Sequence, residues 1–309
     1  MSSVEDQLPQ PASAEVPAMS SDRVSPQGKS MPWVALAWFG ALLILTYYPI
    51  LKHLVEQWWS DGDTSHGFFV PLVSGYIVWQ RREQLIALEW KPAWWGVALM
   101  AFGGFQAYIG LLGAELFLQR TAFLETLLGL LLVLGGTALI RELIFPLLLL
   151  PFMIPIPTVI YNQITFPLQL FASRVAEVLL GLIDIPVLRE GNVLELASQK
   201  LSVAEACSGI RSLMSLSFLA LVYGYFFDNK IWMRFALFIG VLPIAIIANA
   251  GRVTITGILS ERDPELARGF FHELEGFVIF AIAFAMLYVL HLVINLVYRW
   301  KFEKEAPVV

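Results

Sequence analysis

The stretch Ile231–Leu259, IWMRFALFIGVLPIAIIANAGRVTITGIL, decides the fold. It carries only two charged residues, Arg234 and Arg252. A helix needs about 20 apolar residues to cross a bilayer, with a range of roughly 17–25. This run is longer than one span requires, and Arg252 interrupts its second half. An arginine at mid-membrane costs about 2.5–3.5 kcal/mol on insertion scales, and less near the interface. Either Arg252 snorkels to headgroups, or it is held as a fixed fork of donors for a developing oxyanion.

Working outward, seven more apolar segments read as spans: Pro32–Leu51, Gly67–Trp79, Ala93–Gly113, Thr121–Ile140, Leu143–Tyr161, Gly209–Phe227 and Gly276–Tyr298. The second is short, and spans only if Ser65 and His66 sit at its interface. The expectation is therefore an all-α polytopic membrane protein with about eight transmembrane helices. Composition agrees. The 309 residues are 58% hydrophobic and 15% charged, against roughly 45–50% and about 25% in soluble domains. Mean hydropathy is +0.70. A single cysteine, Cys207, excludes a disulfide framework. A net charge of −5 gives no basic stripe for nucleic acid.

Residues 1–31, rich in Ser, Pro and Glu, read as a disordered tail. No apolar h-region near the start marks a signal peptide. The membrane domain is expected over 32–298, followed by a basic tail at 299–309. Positive residues favour cytoplasmic loops. With eight spans, Arg81, Arg82, Lys91, Arg141, Lys230, Arg234, Arg299, Lys301 and Lys304 fall on one face, together with Arg23 and Lys29. Both tails are then cytoplasmic, and the loops at 52–66, 114–120, 162–208 and 260–275 face outward. The largest of these, 162–208, is expected to hold a small extracytoplasmic insertion. Thr165, Gln169, Ser173 and Glu177 form one polar stripe of a helix, lying at the interface or lining a wet cavity. Val187–Glu205 reads as two or three short strands around Glu190-Gly191-Asn192. Pro155 and Pro157 interrupt or end the fifth span.

Candidate chemistry lies where polar residues meet the outward face. Cys207 stands where the outward loop enters the span at Gly209. A lone cysteine is often an inert apolar residue, but a helix N-terminus lowers a thiol pKa. Arg211, one turn on, adds to that effect, while Glu205 opposes it or orients a neighbouring base. His272 precedes the last span on the same face; such a histidine is either solvated structure or a general base. His66 is a further outward candidate. A nucleophile, a base and an electrophilic stabiliser on one side make an acyl-transfer set. No H-x-x-x-H, paired-carboxylate, G-x-S-x-G or Walker A pattern is present, so neither a metal site nor a cofactor is expected.

At these residues the chain resembles the exosortase/archaeosortase family. The resemblance rests on Glu205-Ala206-Cys207-Ser208-Gly209-Ile210-Arg211-Ser212, on Asn249-Ala250-Gly251-Arg252, and on His272. Ser65-His66-Gly67-Phe68-Phe69-Val70-Pro71, Trp79-Gln80-Arg81-Arg82 and Pro155-Ile156-Pro157 are similar too. It covers roughly residues 32–298; Gly251 departs from it, standing where a larger apolar residue is expected. The resemblance implies a bacterial inner-membrane cysteine protease or transpeptidase with an extracytoplasmic site. Its substrates would be membrane-anchored proteins ending in a Pro-Glu-Pro-like (PEP-CTERM-like) motif, one span and a basic end. Cys207 would be the nucleophile, Arg252 the oxyanion stabiliser and His272 the general acid and base. Glu205, Ser208, Arg211, His66 and Asn249 would support them.

Two other readings compete. A transporter or lipid-linked carrier handler would use Arg252 and the 165–177 stripe as a cavity, with broken helices at Pro155 and Pro157. The other is a non-catalytic assembly factor for envelope polysaccharide export.

Overall fold

The computed structural model describes residues 33–89, 91–203, 209–262 and 270–302, with side chains at all of these except 33, 209–212, 270–275 and 302. The expected tail at 1–31 lies outside them. So do Glu205, Cys207 and Ser208.

The chain opens with α1 (Trp33–Thr46) and α2 (Tyr48–Ser60), which meet at a 72° bend. A 3-10 turn, Ser65–Phe68, leads into α3 (Phe69–Gln80), followed by the short α4 (Arg82–Ala87). Then come α5 (Trp95–Leu112), α6 (Leu116–Leu149) and a second 3-10 turn, Leu150–Met153. Helix α7 (Thr158–Leu182) precedes three strands, β1 (Val187–Glu190), β2 (Val193–Leu196) and β3 (Lys200–Ser202). The last helices are α8 (Gly209–Phe227), α9 (Ile231–Arg262) and α10 (Phe270–Phe302).

The polytopic helical architecture is as expected, but the count of eight spans is not. Among the described residues five helices are long and apolar enough to cross a membrane, or six if the bent α1–α2 pair is one span. The expected second span is the 12-residue α3. At 1.5 Å per residue it is about 18 Å long, short of the roughly 30 Å hydrocarbon core. The expected spans at 121–140 and 143–161 are instead one helical run, Leu116–Met153. Arg141 does not divide it. The break falls at Gly136, where φ 73 and ψ −167 suit only glycine. A Cβ there would overlap the Lys91 carbonyl. The described part of α8, Leu213–Phe227, is apolar but short.

The third correction concerns the insertion. Pro155 and Pro157 end the preceding helix, and α7 restarts at Thr158, joining the expected end of span five to the polar-striped segment. The result is 25 residues, apolar enough to count as a candidate span. Its polar stripe is covered by protein for much of its length. Thr165 and Ser173 are buried, and the stripe docks on the strands. Ser173 Oγ donates to the Gly191 carbonyl at 3.0 Å, Asn192 Nδ2 to Gln169 Oε1 at 3.1 Å, and Arg189 Nε to Glu177 Oε2 at 2.7 Å. The strands form an antiparallel sheet in the order β1-β2-β3, as the alternation predicts. Leu194, Leu196 and Leu201 of this sheet, with Val203 just after it, pack with Ala172, Ala176 and Leu180 of α7 and with Ala250 and Val253 of α9.

These contacts give the bundle two distinct ends. At one, which carries Arg252, the sheet covers the last turns of α9: Gln199 Nε2 donates to Ser260 Oγ at 2.8 Å and Ser198 Oγ to Glu261 Oε1 at 2.9 Å. At the far end, Arg81 donates to Tyr225 Oη and to the Glu142 carbonyl, both at 2.9 Å, tying α3, α6 and α8. There too His291 lies between Tyr223 Oη, 2.8 Å from Nδ1, and Asp228 Oδ2, 3.2 Å from Nε2. Burial works against ionisation of Asp228. The Lys230 N–H at 2.7 Å and His291 outweigh it and hold the carboxyl below its usual range.

Candidate functional site

Of the three candidate catalytic residues, Arg252 is the one whose side chain is described. It is 7% exposed, on a helix whose neighbouring polar side chains are buried as well: Asn249, Thr254, Thr256 and Ser260. The threonine hydroxyls turn back on their own helix, Thr254 Oγ1 to the Ala250 carbonyl at 2.9 Å and Thr256 Oγ1 to the Arg252 carbonyl at 3.0 Å. Such i−4 bonding satisfies a hydroxyl without a partner helix. Gly257 admits Leu180 of α7 alongside. Protein therefore covers the polar side chains of this part of α9, while Ile255 stays exposed.

The guanidinium is directed at α10. A Cβ at Gly276 would lie 3.5 Å from Arg252 Nη2, 3.7 Å from Cζ and 3.8 Å from Nη1. His272 belongs to α10, one turn before Gly276 on the same helical face. Its side chain lies outside the described ones. Helix α8 reaches the same level. Leu213 and Leu216 share one apolar cluster with Ala248 of α9 and Ile279 of α10. Ala248 is one turn before Arg252, and Ile279 about one turn after Gly276. Cys207 lies two residues ahead of the first residue of α8. The structure thus brings Arg252, the first turns of α10 and the first turns of α8 together. Arg211 belongs to α8, its side chain outside the described ones, and Asn249 is buried three residues before Arg252.

His66 lies at the same end by a different route. It sits in the first 3-10 turn, with Nε2 3.2 Å from the Phe152 carbonyl of the second. Gly67 lets Trp58 pack directly on that turn, and Trp58 Nε1 donates to the Met153 carbonyl at 2.9 Å. Burial lowers the His66 pKa below its ordinary value, although the Phe152 and Asp63 carbonyls favour the protonated ring. His66 therefore stays neutral at neutral pH. It lines a cleft of about 300 Å³ with Phe117, Phe152, Pro155, Tyr161 and Met214. Met214 is in the second turn of α8, so the cleft opens beside the helix that Cys207 precedes.

Several of these residues escaped the sequence reading. Tyr161 and Met214 gave no signal, being ordinary members of apolar segments. His291 belongs to no motif in the sequence. Its place in an apolar helix was the available clue, because ionisable groups inside spans seldom lack a partner. Among the described residues no three His, Cys, Asp or Glu side chains are grouped to hold a metal ion.

Comparison with known proteins adds one finding. The family model described as transmembrane exosortase matches residues 58–289, most of the chain, including all of α8 and α9 and the first 20 residues of α10. Searches of curated proteins and of solved structures return no match.

Proposed function

Because the chain belongs to the transmembrane exosortase family, whose members are generally membrane transpeptidases, we propose that it is a cysteine transpeptidase acting on exported proteins, with Cys207 as nucleophile. The observation that carries this reading is the guanidinium of Arg252 held against Gly276, one turn from His272, where α8 starts just after Cys207.

His272 takes the thiol proton, and the Cys207 thiolate attacks the scissile carbonyl carbon. Arg252 stabilises the oxyanion of the tetrahedral intermediate. The intermediate collapses to a Cys207 thioester as His272 gives its proton to the departing amine. An incoming amine, deprotonated by His272, then attacks the thioester and expels the thiolate. Water in its place would give hydrolysis. Glu205, Ser208, Arg211, Asn249 and His66 support this set. The substrate is a membrane-anchored protein ending in a Pro-Glu-Pro-like motif, a span and a basic end. The site faces outward from a bacterial inner membrane. Anchoring confines the substrate to the same membrane, which raises its effective concentration at the site.

The test is a tailed reporter expressed with Cys207→Ala and Cys207→Ser. Both variants should accumulate and leave the reporter unprocessed. Normal processing by either one overturns the nucleophile assignment.

A further inference from the structure

A second and larger cavity lies on the flank of the bundle, between α1–α2, α3 and α6. It is a groove of about 550 Å³ whose wall is apolar almost throughout, including Leu51, Val55, Leu127 and Leu147. Two features set it apart from an ordinary lipid-facing dent. Ser74 lines it, is 5% exposed, and its buried Oγ has no hydrogen-bond partner in the protein. Beside it, a Cβ at Gly75 would meet nothing within 4 Å. An unpaired buried hydroxyl is costly in hydrocarbon. An acyl chain cannot satisfy it, whereas a helix can offer a carbonyl or a polar side chain. Small residues are also what lets a second helix approach closely within a membrane.

The groove adjoins the His66 cleft. Trp58 and Met153 line it, and Trp58 is bonded to the Met153 carbonyl. The adjoining residues Pro151 and Phe152 line the His66 cleft instead. The two cavities thus back onto one another across the second 3-10 turn. A helix seated in the groove and leaving it past Trp58 emerges at the cleft, beside the start of α8. The volume suits the three to four side chains that one helical face presents over about two turns.

We propose that this groove is the docking site for the membrane-spanning helix of the protein substrate, with Gly75 as its point of closest approach and the Ser74 hydroxyl, turned toward the groove about χ1, as its hydrogen-bonding contact. The proposal rests on the function put forward above. It adds where the substrate's span sits and how the flanking segment is led to the site.

The single cysteine makes the test clean. Cys207→Ala leaves a cysteine-free enzyme into which Gly75→Cys or Leu127→Cys is introduced. Ile239→Cys, on the exposed face of α9, serves as control. Each is co-expressed with a tailed reporter bearing single cysteines along its span, and the membranes are oxidised. The groove positions should form disulfides with the reporter at helical intervals, at least tenfold more than Ile239→Cys. Equal yields at the control, or disulfides only between two enzyme copies, overturn the proposal. This arm needs no turnover, so it stands whatever Cys207 does. In the enzyme with Cys207 intact, Gly75→Leu should accumulate normally and process the reporter at least tenfold more slowly, and Ser74→Ala should slow it less. Normal processing by Gly75→Leu while Cys207→Ala is inactive marks the groove as a lipid site and leaves the catalytic reading standing. Processing by Cys207→Ala sinks the catalytic reading alone.

Discussion

Gly276 offers a graded test of whether the position of Arg252 matters. Replacing it with alanine adds one carbon 3.5–3.8 Å from the guanidinium atoms. That is ordinary van der Waals contact, so nothing need shift. Alanine should also favour the helix by roughly 0.5–1 kcal/mol. Valine is different. Its two γ carbons lie about 1.5 Å beyond Cβ, and a β-branched residue in a helix has essentially one rotamer. It cannot turn both away, so the guanidinium must retreat by about 1 Å. A misplacement of that size can cost about 10²-fold in rate, approaching the roughly 10²–10³-fold loss of an oxyanion donor. Reporter processing in membranes is the assay, with Cys207→Ala as zero and enzyme accumulation as the folding control. The expected order is wild type and Gly276→Ala alike, Gly276→Val about 10²-fold slower, and Arg252→Gln as slow or slower. Wild-type processing by Gly276→Val refutes the reasoning, as does a Gly276→Ala variant as impaired as Gly276→Val.

Two further predictions concern the scaffold. Gly136→Ala should lower the thermal midpoint of the detergent-solubilised protein, since a strained backbone of this kind costs about 1–3 kcal/mol before the overlap with the Lys91 carbonyl is added; an unchanged midpoint refutes the break at Gly136. His66, whose pKa is lowered by burial, should make stability fall with acidification. The unfolded histidine binds a proton near 6.5 while the folded one does so only at lower pH, so stability is complete above 6.5 and is lost as pH drops below it. His66→Gln should flatten that part of the midpoint-versus-pH curve, and an unaltered curve refutes a neutral, buried His66.

What was legible in the sequence followed from local physics. The run Ile231–Leu259 is a helix because nothing in it can leave a helix in lipid, and its one proline, Pro243, is carried inside. The strands around Gly191 were readable from alternation and a turn glycine, which takes φ 65 in the hairpin. The break in α6 was not readable from charge. Arg141 reads as a loop, yet the helix carries it inside, eight residues before its last residue, Leu149, while the glycine that does break the chain sits among mostly apolar neighbours. The role of α7 was half legible. Its stripe of Thr165, Gln169, Ser173 and Glu177 was plain, but what covers the stripe lies up to 23 residues away in sequence, at Asn192 and its neighbours. Cys207 and His272 could be named only as types in position. Of the three, Arg252 alone has its surroundings described.

Those surroundings explain how a charged group can be buried near the edge of the hydrocarbon. Helix α9 has 32 residues, about 48 Å at 1.5 Å each, whereas the hydrocarbon core is about 30 Å. Counted from Ile231, the first 20 or so residues suffice to cross, and Arg252 falls just beyond them. The segment from Asn249 to Ser260 would then meet water or headgroups, yet its polar side chains are buried. The cover is supplied by α7 and the sheet, and α7 can serve only because the sheet satisfies its polar stripe through Ser173, Gln169 and Glu177. The insertion is therefore no ornament on the bundle. On this count it extends a protein interior past the edge of the hydrocarbon, which would shield the guanidinium from bulk water without surrounding it with lipid. Screening is weak in such a place and a fixed donor acts strongly on a developing charge. A site placed one turn deeper would incur the insertion cost of arginine, and one placed on an uncovered loop would lose the field.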